Sequence, residues 1–160
     1  YVIFIKVSII LLFSAFLSGS TLACEQNDTE LMSGSFQGDV SRQFSFFMDN
    51  ETQKINYSFN KNRVDELQIL FDGGNMLKRT SDSKMDVTYY GFNRGKYGYI
   101  LNVMNGKEPN EYSMSFLVKK GKKVIQLNDC LNNSYKSSDI TSKYIKDVPF
   151  KSVGGEFQFP

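Results

Sequence analysis

"EYSMSFLV", residues 111–118, decides the fold. Tyr112, Met114, Phe116 and Val118 are large and apolar, with Leu117 late in the run and Ser113 and Ser115 between the first three. A period of two puts the four large side chains on one face of an extended chain and the serines on the other. That is a β-strand with one face buried and one in water. A helix would spread the same residues around its circumference.

The rhythm recurs on both sides of this stretch. Phe44, Phe46 and Met48 share a face in "RQFSFFM", as do Ile55, Tyr57 and Phe59 in "KINYSFN" and Leu67, Ile69 and Phe71 in "ELQILF". Met85, Val87 and Tyr89 repeat it, then Tyr97, Tyr99, Leu101 and Val103, and finally Ile125 and Leu127. Turn residues separate the runs: "DNET" at 49–52, "NKNR" at 60–63, "DGGN" at 72–75, "NRG" at 93–95, "NGKEPN" at 105–110 and "KKGK" at 119–122. Gly, Asn and Asp tolerate positive φ or close turns with their side chains. Connections this short force neighbouring strands to run antiparallel.

Seven one-sided strands need cover for their apolar faces. An eighth is expected from "GSFQGDV" (34–40), with Phe36 and Val40 facing in. The expected fold is therefore all-β: a seven- or eight-stranded antiparallel meander forming a small barrel or a sandwich. "MLKRTSDS" (76–83) breaks the rhythm and reads as a crossing connection between sheets or a wide loop. After Cys130 the pattern changes. Ile140 and Tyr144 stand four apart, the spacing of one helix face, and Ser138 or Asp139 suits its start. Pro149 stops it. One short C-terminal helix is expected there, packed as a lid, followed by an edge strand through Phe157 and Phe159.

Residues 1–23 are of another kind. One lysine, Lys6, precedes an apolar run from Val7 to Phe16, and small residues follow up to Ala23. This is the pattern of a secretory signal peptide cut before Cys24. Ser18 to Thr21 leave the run short of a membrane span. Residues 24–160 then form a single exported β domain, secreted or periplasmic. Cys24 has two readings. A lipid anchor wants leucine three residues before the cysteine, where this chain has Thr21. A disulfide between Cys24 and Cys130, the only two cysteines, suits an oxidising compartment. The disulfide is the better match, and membrane attachment is expected only if Cys24 is lipidated.

Composition narrows the chemistry. The chain has no histidine, which removes the commonest general base and metal ligand. No metal or cofactor is expected. Nineteen basic against seventeen acidic residues argue against nucleic-acid binding. "KKGKK" (119–123) is the local exception. It reads as a solvated turn, with an acidic partner or anionic surface as the sharper alternative. Asp65 with Glu66, Asp82 with Asp86, and Asp49 with Glu51 fall in turns or on opposite strand faces, not as an inward pair. Asp72-Gly73-Gly74-Asn75 lacks the oxygen spacing of a calcium loop.

The residues singled out for binding are Tyr90, Phe92, Arg94 and Lys96. If Val87 and Tyr89 face in, Tyr90 and Phe92 face out, and aromatic and arginine side chains anchor protein contacts. The expected function is a non-enzymatic exported binding protein, an envelope inhibitor or immunity-type protein acting on another envelope or secreted protein. The alternative is a lipocalin-like carrier of a small apolar ligand, which would show an apolar cavity of several hundred Å³, on the order of ordinary ligand pockets.

Overall fold

The structure, a computed structural model, describes residues 27–108, 110–153 and 156–160. The expected signal peptide and Cys24 lie outside the described residues. The first nine strands are β1 (Asp28–Phe36), β2 (Asp39–Asp49), β3 (Ile55–Lys61), β4 (Val64–Phe71), β5 (Leu77–Asp82), β6 (Val87–Arg94), β7 (Tyr97–Asn105), β8 (Tyr112–Lys120) and β9 (Lys123–Asp129). Four short ones follow: β10 (Tyr135–Lys136), β11 (Ile145–Asp147), β12 (Ser152–Val153) and β13 (Glu156–Phe157).

The chain is all-β and folds as a sandwich of two sheets that do not close into a barrel. The first sheet has the order β10-β1-β2-β3-β4 and the second β11-β5-β6-β7-β8-β9. The barrel alternative is thereby excluded. "GSFQGDV" is not a separate strand: it ends β1, turns at Gln37 and Gly38 and begins β2, leaving Val40 exposed. "MLKRTSDS" is mostly strand β5.

Each sheet is a meander because its connections are tight turns. Asn62 and Arg63 both take positive φ, 52° and 66°, the conformation that matches a two-residue hairpin to strand twist. The inward row of the first sheet is Phe44, Phe46, Ile55, Tyr57 and Phe71; that of the second is Tyr90, Phe92, Leu101, Val103, Met114, Phe116 and Val118. Rings meet across the gap. Phe116 lies 5.7 Å from Phe36 and 5.6 Å from Phe44, and Phe92 lies 5.0 Å from Tyr57 and 5.3 Å from Phe71, centroid to centroid.

Four gaps between the sheets are treated differently. Where β1 and β9 end, main-chain bonds join them: Gln37 N–H donates to Asp129 O at 2.8 Å and Leu131 N–H to Ser35 O at 2.9 Å. The turn at 72–75 carries β4 into β5. Residues 135–147 strap the third gap, between β1 and β5. There Ser137 N–H bonds Leu31 O, Ile140 enters the core, and β11 lies parallel on β5. The fourth gap, between the starts of β4 and β9, is open among the described residues.

The strap corrects the expected C-terminal helix. Among the described residues there is no helix. The free edge of β5 offers hydrogen-bond partners that a helix would forgo, and Ser137 and Ser142 bond locally to the backbone. Arg79 fixes the strap, donating to Ile140 O at 2.8 Å and forking onto Asp147 at 2.6 and 2.9 Å. That fork holds the Asp147 carboxyl below its ordinary value.

Residues beyond the strap cover the outer face of the second sheet. Phe157 packs 4.3 Å from Tyr89, and Phe159 sits over Gly91, where a Cβ would lie 2.6 Å from the Phe159 ring.

Two substitutions test this fold. Arg63→Gly turns the hairpin into Asn-Gly and should raise unfolding stability by about 0.5–1 kcal/mol in urea titration; a loss would mean that the turn has another type. Asp147→Asn should cost under about 1 kcal/mol at neutral pH, because the carboxylate is exposed. A lowered folded pKa stabilises above the ordinary aspartate value and is lost as pH falls through the lowered one. The gap between the two proteins should therefore hold through neutral pH and close in acid.

Candidate functional site

The open gap is a cleft of about 320 Å³ that runs from solvent into the core. The inward rows of both sheets supply its walls: Phe59 and Leu67 from the first, Tyr97, Tyr99 and Val118 from the second, with Ile125 from β9. Buried Tyr57 and Phe116 lie at its inner end, while Arg42, Glu66, Arg94 and Gln126 complete the lining.

Tyr57 is in the middle of β3, 1 % exposed, and its hydroxyl has no hydrogen-bond partner among the described residues. Burial, with Tyr99 beside it, pushes that hydroxyl far above the ordinary tyrosine range. It is a neutral phenol at any physiological pH, able both to donate and to accept. Leaving such a group unpaired costs about 1–3 kcal/mol.

Arg42 shares the inward phase of Phe44 and Phe46 but stands near the start of its strand. Its guanidinium lies over the rings of Phe36 and Phe59, at 5.8 and 5.3 Å, which keeps a cation at the edge of the apolar space. Around the opening the turns are basic. Residues 61–66, 94–96 and 119–123 carry Lys61, Arg63, Arg94, Lys96, Lys119, Lys120, Lys122 and Lys123 against Asp65 and Glu66, in a chain of net charge +2.

The four residues singled out from the sequence separate. Tyr90 and Phe92 are in the core, 6 % and 3 % exposed, not on the surface as expected. The reason is the covered outer face of β6: with Tyr89 under Phe157, both phases of that strand are apolar, and the sequence does not say which faces in. Arg94 lines the cleft, and Lys96 is exposed on the neighbouring turn, 5.8 Å from the Tyr97 ring. Leu127 is also reversed. A bulge at Val118/Lys119 sets Gln126 opposite Val118 and Asn128 opposite Phe116, so Leu127 faces outward beside Leu117.

Sequence reasoning missed Arg42, Tyr57 and Glu66. Arg42 carried a signal: a charge in phase with an apolar row marks the rim of a cleft. Cys130 is half-buried where β1 meets β9 and has no disulfide partner among the described residues; as a thiol it is pushed up to about 12 by burial. Its expected partner Cys24 lies outside the described residues. Asp72 is occupied by its own turn, accepting from Gly74 N–H at 2.8 Å and Asn75 N–H at 3.2 Å. Among the described residues no three His, Cys, Asp or Glu converge as metal ligands would.

A second hollow of similar size lies on the outer face of the first sheet, lined by hydroxyl and amide groups such as Ser33, Ser45, Gln43 and Asn60. Phe44 is the one large apolar side chain in its lining. Compared with known protein families, curated proteins and solved structures, the chain matches none.

Tyr57→Phe keeps the ring and removes the unpaired hydroxyl. Urea unfolding should show a gain of about 1 kcal/mol. A loss of that size would mean that the hydroxyl has a bond in the free protein.

Proposed function

We propose that this chain is a non-enzymatic binding protein that takes up a small anionic amphiphile, with the apolar part in the cleft between the sheets. The observation that supports this reading best is the buried, unpartnered Tyr57 hydroxyl at the inner end of an aromatic cleft. A hydroxyl or ether oxygen on the apolar part of the ligand would give that hydroxyl the bond it lacks, so such a ligand should bind more tightly than the plain alkyl chain of dodecanoate. Arg42 and Arg94 at the opening suit a carboxylate, sulfate or phosphate head. The cleft is at the small end of the range for ligand pockets, so a single short chain or one ring system fits better than a two-chain lipid.

This reading develops the carrier alternative in a sandwich rather than a barrel. A protein inhibitor would have to use anchors other than Tyr90 and Phe92. Export, if the leader is a signal peptide, places the binding outside the cytoplasm.

Anilinonaphthalene sulfonate, an apolar ring system with one sulfonate, serves as the probe. Its fluorescence should rise on binding, dodecanoate should displace it, and dodecanol should do so about tenfold more weakly, the difference made by one charged hydrogen bond. Arg42→Ala should weaken dodecanoate by about the same factor. Equal displacement by acid and alcohol would remove the anionic head from the proposal; no displacement by either would remove the ligand.

A further inference from the structure

We propose that the turns around the cleft form a docking surface for an anionic lipid bilayer. Charge complementarity is the first ground. Eight cations and two carboxylates gather on three turns at one corner, while the chain as a whole is nearly balanced. The turns are neighbours, since Gly121 N–H donates to Lys96 O at 3.3 Å and both flank the cleft that Glu66 lines.

Exposed aliphatic side chains among the cations are the second ground. Val64, next to Arg63, is 66 % exposed; Val124 and Ile125, next to Lys123, are 48 % and 49 % exposed. Lysine and arginine alone would suit nucleic acid or an acidic protein. Val64 at the start of β4 and Val124 at the start of β9, beside these turns, have no use against phosphates in water, but they can enter the headgroup region of a bilayer while the lysines stay with the lipid phosphates, with Ile125 between them and the cleft. Each lysine near an anionic surface strengthens association by about fivefold, and the attraction falls with salt over a Debye length.

The surface stands on its own side chains; the ligand reading supplies only a reason for it, since an amphiphile could pass between bilayer and cleft without crossing water. The two proposals fail separately, because ligand displacement is measured without vesicles.

The test is lysine acetylation followed by mass spectrometry on the full chain, with vesicles of phosphatidylcholine alone or mixed with phosphatidylglycerol. The apolar leader could hold the chain to both kinds, so the readout is which lysines are protected. Lys96, Lys122 and Lys123 should be acetylated at least about fivefold more slowly with the anionic vesicles. Exposed Lys84 and Lys107, away from the corner, should not change, and high salt should abolish the difference. The double variant K122E/K123E should lose the protection at Lys96 while keeping dodecanoate binding. Equal protection by neutral and anionic vesicles would overturn the proposal. So would protection shared by Lys84 and Lys107, or stronger protection by polyglutamate than by the vesicles, which would assign the corner to an acidic protein.

Discussion

The contact between aromatic rings of the two sheets is the interaction on which the rest depends. Phe36, Phe44, Tyr57 and Phe71 come from the first sheet, and Phe92 and Phe116 from the second, with cross-sheet centroids between 5.0 and 6.4 Å. Each buried ring removes roughly 1.5–3 kcal/mol worth of apolar surface from water, and offset and edge-on pairs add to that. The rings also set the spacing of the sheets. Side chains this large hold the layers apart, so the borders need covering, and three of the four borders receive it from the chain itself.

The fourth border explains the site. At the starts of β4 and β9 the inward rows continue, with Phe59, Leu67, Tyr99 and Val118, but among the described residues no segment covers them. Arg42 is tolerated in an inward phase because its guanidinium reaches the opening and stacks on rings as it does so. Tyr57 is the cost of the arrangement: a buried hydroxyl that a phenylalanine would spare. Asn60, Thr80 and Asn102 also bury a polar atom without a partner among the described residues, and Tyr57 is the one of the four that lines the cleft.

How much of this was legible in the sequence follows from how many faces each strand buries. Strands buried on one face, β2, β3, β4 and β8, announce their inward residues by alternation alone, and so does β7, although Ile100 on its other face is also buried. β6 does not, because the covering Phe157 and Phe159 lie more than fifty residues away and make both of its phases apolar; Tyr90 and Phe92 were misplaced for that reason. β9 was misread through a bulge, which one sequence cannot reveal. The strap failed differently. Ile140 and Tyr144 have helical spacing, yet the free edge of β5 decides their conformation, and an edge is a property of the assembled sheet. Of the site, Arg94 was found for another reason, and Arg42 could have been found from its phase.

The central claim is that the space between the sheets at the β4 and β9 border holds the apolar part of a bound molecule. Nuclear Overhauser contacts between the chain protons of dodecanoate and the protein address it directly. The account predicts contacts to the rings of Tyr57, Tyr99 and Phe116 together with Val118, from both sheets at once. Contacts confined to outer-face residues such as Leu117 and Leu127, with none to Tyr57, would contradict it.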